Sequence, residues 1–271
     1  MLTTVEIIKK YNLYTKKSFG QNFLTNPELL TKIVNCAGNI ENENILEIGT
    51  GPAGLTTAIL KKQPKKLITV DMDERCVNIA NTEIKPFFPN LEAIHSDALK
   101  INENELFNGE KYSIIANLPY NIGTVLLFKW LENKDVKNIK SMTLLLQKEV
   151  VERIVSKNNS KNYGRLSVMC QYICDVKKYF DIAPSAFTPP PKVVSSVVGL
   201  TVKQDVNLDI VVKLSKLCHV LFNQRRKTVL NNLKKICENA EGVLSECGVG
   251  AGVRVEELKV DDLVRMVEVI K

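Results

Sequence analysis

The chain of 271 residues has no apolar run long enough to cross a bilayer, and its opening, MLTTVEIIKKYNLY, lacks the apolar core of a secretory signal. Glu6 is present and no arginine precedes Arg75, which excludes the arginine-rich, acid-poor pattern of an organelle transit segment. Histidine is scarce, with only His95 and His219. Seven cysteines (Cys36, Cys76, Cys170, Cys174, Cys218, Cys237 and Cys247) form no CxxC pair. Neither a standard zinc site nor a dithiol motif is therefore encoded, and the odd count predicts reduced, mostly buried thiols. No internal repeat or low-complexity tract occurs. The expectation is a cytoplasmic enzyme without a metal and without membrane contact.

The chain is 45% hydrophobic, enough for one large domain and a smaller one with its own core. Lysine and arginine outnumber aspartate and glutamate by 37 to 30, and a net charge of +7 says little unless it is clustered. Four apolar runs, Ile45–Ile48, Leu67–Val70, Leu91–Ile94 and Tyr112–Ile115, alternate with helix-like stretches such as Leu55–Lys62 and Glu74–Glu83. This alternation predicts an α/β fold with a parallel sheet. A fifth run, Met142–Leu146, precedes a helix expected over Lys148–Ser156. Two further β-rich runs are expected around Ser167–Val176 and Val193–Val202, joined through SAFTPPPKV. After Gln204 the apolar residues recur at helical spacing (Leu214, Leu217, Leu221, then Val229, Leu230, Leu233, Ile236). The expected division is a catalytic domain over 1–204 and a small all-α domain over 205–271.

The first four runs each end in a polar group: Glu47, Asp71, Asp97 and Asn117. In an open parallel sheet these ends share one edge, where ligands bind. One acid after a strand is usually a helix cap, but four in series point to a site. The first run enters Gly49-Thr50-Gly51-Pro52-Ala53-Gly54, a G-x-G-x-x-G match with Asp71 twenty residues beyond Gly51. That spacing suits a dinucleotide, with Asp71 on the ribose hydroxyls. A charged Glu47 beside the loop would repel a pyrophosphate and suit a cationic ligand, so S-adenosylmethionine is the alternative cofactor it favours. Glu47 capping the loop would fit either ligand.

The stretch Asn117-Leu118-Pro119-Tyr120 places an amide, a fixed bend and a ring at the fourth strand end. The amino nitrogen of adenine is a poor nucleophile, because its lone pair is delocalised into the ring. Two acceptors on its N–H groups would draw it toward tetrahedral geometry. The Asn117 side-chain oxygen and the Leu118 carbonyl, held by the fixed φ of Pro119, are candidates. Tyr120 offers a stacking face. The plainer reading is a turn in which Pro119 stops the strand and Tyr120 fills the core.

These residues, with FGQNFL (19–24), LQKEVVERI (146–154), YGRLSV (163–168), SAFTPPPKV (185–193) and FNQRRKT (222–228), resemble the KsgA-type small-subunit ribosomal RNA adenine dimethyltransferases over nearly the whole chain. The resemblance implies a Rossmann-like S-adenosylmethionine-dependent methyltransferase sheet of seven strands, the last antiparallel, with a helical C-terminal domain. It implies cofactor contacts from Asn22, Leu24, Gly49, Asp71, Asp97 and Asn117, with Asp71 on the ribose and Asp97 on the cofactor's adenine. Phe187 would stack on the target adenine opposite Tyr120. The reaction would dimethylate N6 of two adjacent adenosines near the 3′ end of small-subunit rRNA, in a partly assembled particle, by a monomer with a role in small-subunit biogenesis. Thr50 stands where the family usually has proline, Asp71 where it often has glutamate, and Gly123 where serine is common; none removes a required acceptor.

Basic residues cluster at Lys9, Lys10, Lys16 and Lys17, and again at Arg225, Arg226 and Lys227, followed by Lys234 and Lys235. Such clusters can anchor phosphates, although charge runs are usually solvated surface. The match of FNQRRKT assigns Arg225, Arg226 and Lys227 to RNA. Two rival readings are a nicotinamide-dependent oxidoreductase and a binding protein that keeps the scaffold without catalysis. SAFTPPPKV and FNQRRKT favour the small-subunit enzyme over the related large-subunit adenine methylases.

Overall fold

The structure is a computed structural model that describes residues 1–15 and 21–270. Lys16, Lys17, Phe19 and Gly20, used in the sequence reading, lie outside the described residues. The chain divides into two compact units, Met1–Val151 with Lys177–Val202, and Glu152–Val176 with Lys203–Lys271.

The first unit is built on strands. In chain order they are β1 (Phe23–Leu24), β2 (Asn44–Ile48), β3 (Lys66–Asp71), β4 (Leu91–His95), β5 (Tyr112–Asn117), β6 (Ile139–Gln147), β7 (Cys174–Ile182), β8 (Phe187–Thr188) and β9 (Ser195–Val202). Seven make one sheet in the order β4-β3-β2-β5-β6-β9-β7. β2 runs parallel to β3 and β5, β3 parallel to β4, and β5 parallel to β6. β9, the last strand in the chain, is antiparallel to β6. β1 and β8 form a separate antiparallel pair, with Leu24 opposite Phe187.

Every residue of β2 is buried, which explains a continuous apolar run in place of alternation: helices cover both faces of such a sheet. Helix Pro27–Asn35 starts cleanly because the Asn26 side chain accepts from the amides of Glu28 and Leu29. It packs on helix Gly54–Leu60, and Leu30, Ile33, Val34, Ile59 and Leu60 join one core with Ile45 and Leu67. From β2 the chain steps outward to β3 and β4, then returns to β5 on the other side of β2. That reversal opens a crevice at the carboxyl ends of β2 and β5.

The second unit is mainly helical: Leu208–Asn223, Val229–Leu233, Ala240–Glu246 and Val260–Val269, with Arg165–Ile173 packed against the first and last of these. Two sequence expectations are corrected here. Residues 167–173 of the run expected to be β-rich are helical, and β7 begins only at Cys174. Leu166, Val168, Met169, Cys170 and Ile173 are all buried, and a helix apolar on most sides shows no 3.6-residue period. For the same reason 152–176 joins the helical unit, so an uninterrupted domain over 1–204 does not describe the chain. All seven cysteines are free, five of them buried. Among the described residues no helix is long and apolar enough to cross a membrane.

Candidate active site

The glycine loop leaves β2 through left-handed backbone at Gly49 (φ +86°), Gly51 (φ +51°) and Ala53 (φ +58°). A Cβ at Gly49 would meet the Asn117 carbonyl oxygen at 3.4 Å, an ordinary contact distance, so the loop lies beside the end of β5 and it is the positive φ that calls for glycine. Thr50, in place of a proline, hydrogen-bonds the Thr69 hydroxyl at 2.7 Å beneath the loop. Asp71 ties the loop down. Its Oδ2 accepts from the Gly51 amide at 3.0 Å and its Oδ1 from the Asp73 amide at 2.8 Å. Burial pushes the Asp71 carboxyl above its ordinary value, and these two amides pull it back. A carboxylate oxygen can accept twice, so each still has room for one hydroxyl.

Glu47 does not serve as the sequence suggested. It is completely buried, its Oε2 accepts from the Thr56 hydroxyl at 2.7 Å, and its Oε1 has no partner among the described residues. Burial pushes its pKa up to about 8, so the group is mostly neutral at pH 7. It does not line the crevice.

The crevice has a volume of about 320 Å³, at the lower end of the range for small-molecule sites. Asn22, Gly49, Asp71, Asp97, Leu118, Pro119, Tyr120 and the Asn117 side all line it, so the structure brings together strand ends and loops far apart in sequence. Asp97, just past β4, accepts from the Leu99 amide at 3.0 Å. Leu24 is 5% exposed and lines a separate recess of about 40 Å³ under the glycine loop, off the main crevice.

The fourth strand end is arranged differently. The Asn117 side-chain amide donates to the Asn22 carbonyl at 3.3 Å, which leaves its Oδ1 as an acceptor. The Leu118 amide donates to the Leu145 carbonyl at 3.2 Å. Pro119 has no N–H, and its carbonyl accepts from the amides of Ile122 and Gly123 at 3.1 and 3.0 Å, which starts helix Gly123–Leu131. The Leu118 carbonyl takes no hydrogen bond among the described residues. Gly123 packs closely: a Cβ there would come within 2.8 Å of Leu146 Cδ2, so a larger residue needs that side chain to shift. The Tyr120 hydroxyl lies 2.5 Å from the hydroxyl of Ser195 at the start of β9. Burial raises the Tyr120 pKa, and the Ser195 bond opposes it.

Phe187 is not on this wall. It is 3% exposed, sits in β8 opposite Leu24, and belongs to the hydrophobic core with Phe23 and Ile182. A ring flanked by prolines in sequence serves equally as core or as stacking surface, and here packing takes it into the core. Two residues escaped the sequence reading. Ser195, fully buried and bonded to Tyr120 without lining the crevice, carried no signal in the sequence. Met72, next to Asp71, lines the crevice while 47% exposed; a large apolar side chain beside a strand-end acid could have flagged it.

The basic trio is divided. In the helical unit, Arg225 donates to the Lys161 carbonyl at 3.1 Å and pairs with Glu256 at 3.8 Å, too long for a hydrogen bond. Arg226 and Lys227 are exposed on the turn after helix Leu208–Asn223. Lys234 pairs with Glu241 at 2.8 Å, and Lys235 donates to the Gln224 side chain at 2.6 Å. In the first unit Lys10 pairs with Glu83 at 2.7 Å.

Comparison with known proteins places these features in context. The family model described as ribosomal RNA adenine dimethylase matches residues 12–271. The chain is 39% identical over 264 residues to the ribosomal RNA small subunit methyltransferase A of Chelativorans sp. (strain BNC1), covering 96% of this chain and 95% of that one. It is 42% identical over 254 residues to the protein of the same name from Ehrlichia ruminantium (strain Gardel), covering 92% and 95%. Among solved structures, a dimethyladenosine transferase from Plasmodium falciparum matches with a TM-score of 0.76 and 28% identity, over 90% of this chain and 95% of that one. The 23S rRNA methyltransferase ErmE shares the fold, with a TM-score of 0.70 and 20% identity over 92% and 99%.

Proposed function

Because the chain belongs to the ribosomal RNA adenine dimethylase family, we propose that it transfers methyl groups from S-adenosylmethionine to N6 of two adjacent adenosines near the 3′ end of small-subunit rRNA. The observation that carries this reading is the pair of open acceptors, Asn117 Oδ1 and the Leu118 carbonyl, at the edge of a crevice whose other wall holds Asp71. The residues fit the cofactor. Asp71 keeps acceptor capacity on both oxygens for a ribose diol, and the left-handed glycine loop admits a ligand against bare backbone. When bound, S-adenosylmethionine supplies a methyl carbon activated by its positive sulfur.

The chain's own groups do the rest. Asp97 takes the cofactor's adenine amino group. Asn117 Oδ1 and the Leu118 carbonyl accept the two N–H groups of the target amine, and Tyr120 stacks on the base, an effect of roughly 1–3 kcal/mol. These acceptors would stabilise the positive charge that develops on nitrogen as the N–C bond forms and the S–C bond breaks, so no strong base is needed, and the proton then passes to water. Alignment carries most of the acceleration. The target adenosine must be single-stranded or turned out of its stack. In the helical unit, Arg226 and Lys227 are exposed cations suited to RNA phosphates. The reading extends to a cytoplasmic monomer acting on RNA in a partly assembled small subunit.

The test is incubation of undermethylated small subunits with labelled cofactor, followed by nucleoside analysis. Labelled N6,N6-dimethyladenosine is expected with the native protein and not with Asn117→Ala. Label in a different nucleoside, or none, would overturn the proposal.

A further inference from the structure

Helix Gly123–Leu131 starts directly after the Asn117–Ile122 wall. Near its end the Lys129 ammonium donates three hydrogen bonds: to the Ala98 carbonyl at 2.9 Å, to the Ile101 carbonyl at 2.7 Å and to Glu103 Oε1 at 2.7 Å. An ammonium has three donors, so it is saturated. The same Glu103 oxygen accepts from the Trp130 indole at 2.7 Å, and Glu103 is 1% exposed. Ala98 and Ile101 belong to the segment after β4 that carries Ser96, Asp97 and Leu99 onto the crevice wall.

β4 and β5 are not neighbours: β3 and β2 lie between them, a separation of three strand spacings or roughly 14 Å. Through the sheet alone, the Asp97 segment and the Asn117 wall would be joined only indirectly. Lys129 joins them through one side chain. We propose that Lys129 is a positioning residue, which sets the Asp97 segment against the helix that follows Asn117–Tyr120 and so fixes the distance between cofactor recognition and the reacting edge. The inference rests on the methyltransferase reading given above.

A merely structural ion pair is separable from this role. Lys129→Met strands Glu103 as a buried, unpaired carboxylate, which by itself destabilises the fold. Lys129→Met with Glu103→Gln removes both charges and keeps an acceptor for Trp130, so the melting temperature should recover toward that of the native protein. If Lys129 positions the segment, the double variant still binds S-adenosylmethionine about tenfold more weakly by calorimetry and shows faster amide exchange across 97–101. A double variant with native melting temperature, affinity and exchange would overturn the inference, and it remains decisive if the single variant does not fold. Native protein that binds no S-adenosylmethionine would overturn the methyltransferase reading and this inference with it. Native binding with an unchanged double variant overturns this inference alone.

Discussion

The two walls of the crevice treat their polar atoms in opposite ways. On the glycine-loop wall Asp71 already holds two backbone amides, and beneath the loop Thr50 holds Thr69. A ligand there adds bonds to a loop that is already set. On the Asn117 wall the donors are used internally and the acceptors face out. The Asn117 amide donates to Asn22 and the Leu118 amide to Leu145, while Asn117 Oδ1 and the Leu118 carbonyl stay open. Buried and half-buried carbonyls are ordinarily paired, so open ones at a crevice are available to a donor-bearing ligand. One wall is built to hold, the other to receive.

The strongest way to break this comparison is through Phe187, which the family resemblance would stack on the target adenine and which packs in the core, 3% exposed. Phe187→Ala should cost about 3–5 kcal/mol of stability, read by denaturant unfolding, and lower cofactor binding and methyl transfer together. Loss of transfer alone, with stability intact, would return Phe187 to the receiving wall. Next in size, Asn117→Ala should lower kcat by about 100- to 1000-fold, the scale for loss of a preorganised polar contact to a developing charge. Cofactor affinity should fall far less than kcat, because Asp71 and the glycine loop are untouched.

Asp71→Ala should behave the other way. It strands the amides of Gly51 and Asp73 and removes the diol acceptor, so stability falls by about 2 kcal/mol and cofactor affinity falls about 30-fold. At saturating cofactor, kcat should change least of the three rates. The smallest effect is on pH dependence. Glu47 has an ordinary pKa of 4.5 in the unfolded chain and about 8 when folded. Between these values the folded state holds the proton that the unfolded state has lost, so Glu47 makes stability fall as pH rises from about 4.5 to about 8 and then level off. Glu47→Gln should flatten that part of the profile, with cofactor affinity at pH 7 nearly unchanged. A large loss of affinity would show that the carboxylate reaches the ligand after all.

Much of the fold was legible because buried parallel strands are short apolar runs bounded by polar residues, and β2, β3, β5 and β6 announce themselves this way. Helix Arg165–Ile173 was not, since burial on most sides erased the periodicity that separates helix from strand. In the site, Asp71, Asp97 and Asn117 were legible as strand-end polar groups. Glu47 was legible by position and illegible by state, because a carboxyl's ionisation depends on the surrounding packing. Arg225 and Arg226 look alike in sequence, yet only Arg225 is drawn to Lys161 and Glu256. Ser195, paired with Tyr120, has no local feature that marks it.

What the sequence by itself determined is where strands stop and which side chains stand at their ends, because both follow from local propensity and burial pattern. It also determined the family, through motifs spread over nearly the whole chain. Which of those side chains meets a ligand was decided only by the tertiary structure. Exposure, charge state and hydrogen-bond satisfaction are set by partners that arrive from distant parts of the chain, as Asn22 does for Asn117 and Lys129 for the Asp97 segment.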